Sequence, residues 1–152
     1  MTEPDARSAI REGLPGLADA DGELGEMVRM ATALAELVAP YASPDFECLM
    51  APLPPTPPVS YPRVDGIPRA WRDFSEPFAS VEARLERVVE GENAFVMFVR
   101  QTVVTKHGGV EMTQPGALVV IIEEGRIPNV QFHLDQDAAL RAGGLQPTDP
   151  EA

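Results

Sequence analysis

EGENAFVMFVRQTVVT (residues 90–105), GGVEMTQPGALVVIIEEGRIPNVQFHLD (residues 108–135) and QDAALRAGGL (residues 136–145) decide the fold. Turn chemistry divides this stretch into three apolar runs of strand length. Glu92-Asn93 leads into Ala94–Val104, Lys106-His107-Gly108-Gly109 makes a hairpin loop, and Glu124-Gly125 makes a tight one. A short helix over Gln136–Ala142 closes the segment, with Asp135 placed to cap it. The strands carry large apolar residues on both faces, and one position among them is an arginine, Arg100.

Upstream, Ser80–Glu90 alternates Val81, Ala83, Leu85 and Arg87, which predicts a fourth strand. DGIPRAWRDFSEPF, beginning at Asp65, predicts a helix with Pro68 in its first turn and Ile67, Trp71, Phe74 and Phe78 on one face. An amphipathic helix is expected over Leu24–Val38, with Leu24, Met27, Val28, Ala31, Leu34, Ala35 and Val38 on its stripe and Pro40 ending it. Nine of the 16 prolines fall between Pro40 and Pro68, so residues 51–63 read as a stiff loop in which a regular strand or helix is not expected. Residues 1–22 read as a mobile or loosely docked arm, 23–145 as one domain and 146–152 as a flexible tail. The order is helix, Pro-rich loop, helix, four mostly antiparallel strands and a small helix. That is an α+β arrangement with helices against one face of a curved sheet.

A chain of 152 residues suits a single domain with room for an enclosed cavity. Its net charge of −12 argues against a nucleic-acid surface and against binding to anionic membranes. No apolar run approaches the ~20 residues of a membrane span, and MTEPDARSAIREGLPG has neither the cationic nor the apolar part of an export signal. A cytoplasmic location is the expectation. The single cysteine, Cys48, leaves no internal disulfide and no Cys-rich metal site. With no neighbouring His it reads as a small buried hydrophobe.

Three pieces carry a family resemblance: Val64-Asp65-Gly66-Ile67 leading into Arg69-Ala70-Trp71, the turn Glu124-Gly125-Arg126-Ile127, and the ending Asp135-Gln136-Asp137-Ala138-Ala139-Leu140 through Gly144-Leu145. In this order, over Leu24–Leu145, the chain resembles the SnoaL-like branch of the NTF2-like superfamily. The resemblance implies a cone-shaped barrel: a curved, mostly antiparallel sheet wraps the helices and leaves an internal pocket open at one end. It also implies a homodimer paired through the outer sheet face, where Gln131 and His133 would sit. The family spans polyketide cyclases, steroid isomerases, epoxide hydrolases, dehydratases and non-catalytic binding domains, so the fold does not choose the chemistry.

Alternation along the strands assigns faces. With Arg100 pointing inward, Val96, Phe98, Thr102 and Val104 follow it. Val130, Phe132 and Leu134 then share a face with Ala117, Val119 and Ile121, and Asn129, Gln131 and His133 point outward. Against the resemblance, the steroid-isomerase carboxylates are replaced by Cys48-Leu49-Met50 and Leu118-Val119. An epoxide hydrolase would keep Arg100 but needs acids where Thr102 and Phe132 stand. Of the acids and bases that an aldol-type cyclase would use near the last strand, His133 is expected outward and Asp135 as a helix cap.

What remains is an apolar cavity expected from Met50, Trp71, Phe74, Phe98, Met112, Val119, Val130 and Phe132, with Arg100 and Thr102 as its polar, catalytic handles. Arg100 has an alternative role, an ion pair with Glu111 or another acid on an adjoining strand. The expected function is a cofactor-independent polyketide cyclase, without metal, that closes a ring in a largely apolar polyene by confinement. The other reading is a non-catalytic dimeric module that binds a ligand or a protein.

Overall fold

The computed structural model describes residues 5–51 and 57–145; the start of the expected arm (1–4), the centre of the Pro-rich segment (52–56) and the expected tail (146–152) lie outside the described residues. The elements in chain order are α1 (Ala6–Gly13), β1 (Glu23–Glu26), α2 (Met27–Val38), β2 (Ala42–Ala51), β3 (Val59–Pro62), α3 (Gly66–Ser75), β4 (Phe78–Glu90), β5 (Ala94–Thr105), β6 (Glu111–Ile121), β7 (Ile127–His133) and α4 (Gln136–Ala142). The strands form one open seven-stranded sheet in the order β1-β4-β5-β6-β7-β2-β3. Neighbours are antiparallel except β2 and β7, which run parallel. The α+β reading and the strands over 80–90, 94–104 and the 124–125 hairpin stand as expected, and α4 has the predicted bounds.

Three expectations about the elements are corrected, and the assignment of strand faces is corrected below. Asp5 caps α1 by accepting from the Ser8 amide at 2.8 Å, α1 buries Ala6 and Ile10, and Leu14 is buried just past its end, so the part of the arm from Ala6 to Leu14 is docked. The first turn expected of α2 is strand instead. Gly25 at φ +74° turns the chain, and Glu26 accepts from the Val28 and Arg29 amides to start the helix at Met27. The Pro-rich segment expected as a loop, 51–63, contains a strand, β3, and an unpredicted strand, β2, runs up to its start. β2 alternates Phe46, Cys48 and Met50 into the core. β3 pairs with β2 from Val59 to Pro62 and tolerates its proline because it is an edge strand.

α1, α2 and α3 pack on one face of the sheet, and α4 covers part of the other. The inward row of β5 is Phe95, Met97, Val99, Gln101 and Val103. Its outward row is Ala94, Val96, Phe98, Arg100 and Thr102, of which the first three pack under Ala139 and Leu140 of α4. The inward assignment of Arg100, Phe98, Thr102 and Val96 is therefore reversed. On β6, Leu118 and Val120 pair with Phe132 and Val130 and face inward, whereas Ala117 and Val119 pair with His133 and Gln131 and face α4. A bulge between Leu85 and Arg87 shifts β4 by one residue, so Arg87 leaves the inward row and lies over the Phe98 ring at 4.6 Å.

α1 is held electrostatically to the β4–β5 turn. Arg7 and Arg11 donate to Glu90 at 2.7 and 2.8 Å, and Arg7 also reaches the carbonyls of Gly91 and Glu92. The Arg11 and then the Arg7 hydrogen bond hold the Glu90 carboxyl at about 2, down from 4.5. A depressed carboxylate stabilises the folded state above its unfolded value and loses that contribution as pH falls through its folded value. Pepsin should therefore cut α1 progressively faster as pH falls from 4.5 toward about 2. Glu90→Gln should be cut fast already at the upper end and show a flatter pH profile. Identical profiles for the two proteins would contradict the clamp.

Candidate functional site

The aromatic centre of the inner face sets the site. α3 drives Trp71 fully into the core, where it meets Phe132 of β7 edge-to-face with ring centroids 5.2 Å apart. Phe74, one turn nearer the surface, meets Phe132 at 5.8 Å and Phe78 at 5.9 Å. Such pairs add about 0.5–1.5 kcal/mol each beyond burial. Phe132 fits because Gly116 lies beneath it: a Cβ at Gly116 would stand 2.9 Å from the Phe132 Cζ.

Beside this cluster is a cleft of about 230 Å³, bounded by the ends of β2 (Met50, Ala51) and β7 (Phe132, Leu134), by β3 (Val59, Tyr61), and by Ala70, Asp73 and Phe74 of α3. Its walls are almost wholly apolar. The polar edge is one pair, in which the Tyr61 hydroxyl donates to Asp73 Oδ2 at 2.9 Å. Burial, then the Asp73 bond, pushes the Tyr61 phenol up, which keeps it a neutral donor at neutral pH. The pair depends on Gly66, because a Cβ there would collide with the Tyr61 carbonyl and Cβ. The cleft suits a compact ligand, or one end of a longer one. A 150 Å³ cavity already accepts a benzene ring, and sites for drug-sized ligands start near ~300 Å³.

The sequence-predicted site residues separate into two groups. Met50, Phe74 and Phe132 line the cleft, with Trp71 and Val130 in the packed core around it. Phe98 and Val119 belong to the opposite face under α4, and Met112 is exposed near the β5–β6 hairpin. Arg100 and Thr102 lie on that opposite face too, in a charged depression with Glu23, Glu82, Arg84 and Glu111. Arg100 pairs with Glu86 of β4 at 3.3 Å and its side chain is 50% exposed, so the ion-pair role applies, with a different partner from Glu111. It touches no wall of the cleft.

Tyr61 and Asp73 are the polar cleft residues that sequence reasoning missed, and Ala51, Val59, Ala70 and Leu134 are the apolar ones. Asp73 had a signal: it follows Ala70 by one turn and precedes Phe74, which places it at the edge of the apolar stripe of α3. Tyr61 had little, because its strand sits among prolines. Asp135 acts as expected, accepting from the Asp137 and Ala138 amides at the start of α4. His133 faces outward, bonded through Nε2 to Gln131 Oε1 at 2.8 Å, and burial lowers its pKa against the pull of Asp135. Asp65 stands before α3 without a side-chain capping bond and pairs instead with Arg63 and Arg69 at 3.5 and 3.7 Å.

Desolvation pushes the buried Cys48 thiol up to about 12, which removes it as a nucleophile at neutral pH. Among the described residues no group of three or more His, Cys, Asp or Glu side chains is placed to hold a metal, and no helix is long and apolar enough to cross a membrane. Gly66→Ala should push Tyr61 off Asp73 and cost about 1–3 kcal/mol, the range for overpacking. The urea midpoint measures it; an unchanged midpoint would contradict the tight approach of β3 to α3.

No family model matches the chain, and no curated protein matches it. Solved structures do. A SnoaL-like polyketide cyclase from Jannaschia sp. CCS1 superposes with a TM-score of 0.58 at 14% identity, covering 97% of this chain and 99% of the other. An NTF2-like protein of unknown function from Burkholderia pseudomallei K96243 gives 0.54 at 14% identity, covering 91% and 97%. TerC, co-crystallised with polyporic acid, gives 0.53 at 16% identity, covering 88% and 93%. The chain has the fold of the SnoaL-like, NTF2-like proteins.

Proposed function

We propose that this chain is a polyketide-cyclase-type enzyme that binds a compact, largely apolar substrate in the cleft between α3 and the ends of β2, β3 and β7. The observation that carries the reading is the cleft itself: about 230 Å³ with apolar walls and a single polar pair, Tyr61 and Asp73, at its edge. Support of a second kind comes from the fold, whose solved examples include proteins named as polyketide cyclases. Ring closure by confinement suits such walls, because holding the reacting ends together supplies ~7–11 kcal/mol in favourable cases. No cofactor enters this scheme.

The polar edge replaces the handles expected from sequence. Tyr61 and Asp73 orient a substrate at the rim, and Arg100 and Thr102 take no part. Asp73 is exposed and already engaged by Tyr61, which argues for positioning ahead of proton abstraction. The same observation favours a second reading, a non-catalytic ligand-binding module, since none of the cleft's walls offers a desolvated acid or base.

The test is incubation with linear polyketide candidates, followed by mass spectrometry and NMR for an isomeric cyclic product. Val59 is 50% exposed at the cleft, so Val59→Trp fills the opening without disturbing the core and should lower kcat/KM at least about tenfold. Arg100→Ala should stay within about twofold of the parent, as for a surface ion pair. Asp73→Asn should cost less than the ~100-fold or more that loss of a general base brings. Saturable binding without any product would favour the binding module, and a large loss in Arg100→Ala would overturn the site.

A further inference from the structure

Three wall residues of the cleft are aromatic, Tyr61, Phe74 and Phe132, and one carries a charge, Asp73. Contacts join the four into one continuous group. The Tyr61 hydroxyl donates to Asp73 Oδ2 at 2.9 Å, Phe74 follows Asp73 on α3, and the Phe74 and Phe132 rings meet with centroids 5.8 Å apart. No side chain has to move to bring them together.

Asp73 keeps acceptor capacity on this wall. A carboxylate offers about four lone-pair sites over two oxygens, and Tyr61 uses one of them, on Oδ2. Among the described residues no arginine or lysine forms an ion pair with Asp73. Arg69, one turn earlier on α3, is held elsewhere, by the Pro62 carbonyl at 2.7 Å and by Asp65. Arg72 is exposed and is not a wall of the cleft.

This arrangement selects among ligands. An anion would meet Asp73 with no cation in the cleft to offset it. A plain hydrocarbon covering the rim would strip water from a carboxylate and return nothing. An alkylated amine cation meets both demands: its charge faces Asp73, its carbon substituents are apolar, and aromatic rings attract it through their quadrupoles. The net charge of −12 favours the approach of such a cation.

We propose that the cleft recognises a compact ligand bearing an alkylated amine cation, held by the Asp73 carboxylate and the rings of Tyr61, Phe74 and Phe132. The inference rests on the reading of the cleft as a ligand site and adds the charge of what it takes. Asp73 is then the counterion of the ligand, and the aromatic residues are specificity determinants.

Choline and 3,3-dimethylbutan-1-ol share one shape and differ by a positive nitrogen against a neutral carbon. Titration of each, followed in ¹H–¹⁵N spectra, gives its affinity from the amide signals of Tyr61 and Leu134 at the cleft. Choline should bind about fivefold tighter or better. Asp73→Asn keeps an acceptor for Tyr61 and removes the charge. It should weaken choline about three- to fivefold and leave the alcohol within about twofold. Phe74→Leu keeps an apolar wall without the ring and should lower the choline-to-alcohol affinity ratio about threefold. Because both probes are read in the same variant, a general loosening of the fold cancels in that ratio. Equal affinities for the two probes, with a ratio unchanged in Asp73→Asn, would overturn the cation site while the cleft stands. Choline shifts confined to the acidic depression of Glu92 and Glu123, with the alcohol still at Tyr61 and Leu134, would do the same. Binding of neither probe would overturn both.

Discussion

The edge-to-face contact of Trp71 with Phe132 is the interaction on which the rest of the structure depends. It requires β7 in the register that turns Phe132 inward, and Gly116 of β6 to leave room beneath the ring. Trp71 is also what seats α3 in the sheet. With α3 seated, Gly66 lets β3 approach closely, and Tyr61 reaches Asp73. The cleft is the space left over beside that aromatic cluster, at one edge of the inner face. Its size and apolar character follow from the residues that hold the fold together, so site and core share the same side chains.

Two layers of burial explain how the strands work. The inner face carries the main core under α1, α2 and α3. The outer face has a smaller apolar cluster where α4 lies over Val96, Phe98, Ala117 and Val119. β5 is therefore apolar on both faces over its first half and turns polar on the outer face past the reach of α4, at Arg100 and Thr102. An arginine there keeps its charge in water beside Glu86. The same residue pointing inward would lose that solvation and find no acid among the inward neighbours.

This geometry also shows what was legible in the sequence. The strand runs, the Glu124-Gly125 turn and the Asp135 cap are local signals, set by alternation and turn chemistry, and they were readable. The phase of β5 was not, because six consecutive residues, Ala94–Val99, are all buried and supply no alternation. Arg100 then took the inward assignment that belongs to Gln101. β7 read correctly because its pattern, Val130 and Phe132 against Asn129, Gln131 and His133, alternates cleanly. β3 was obscured by proline, whose missing donor an edge strand tolerates. α1 was obscured by polarity: its contacts depend on Arg7 and Arg11 meeting Glu90, a partner about eighty residues away.

The central claim is that ligands enter the inner-face cleft beside Phe132 and not the charged face around Arg100. Intermolecular nuclear Overhauser effects from a bound compact aromatic ligand test it most directly, with the methionine methyls as reporters. The account predicts contacts to the Met50 methyl and the Phe132 ring, and none to Met112 or the Thr102 methyl. Contacts to Thr102 without any to Met50 would contradict it.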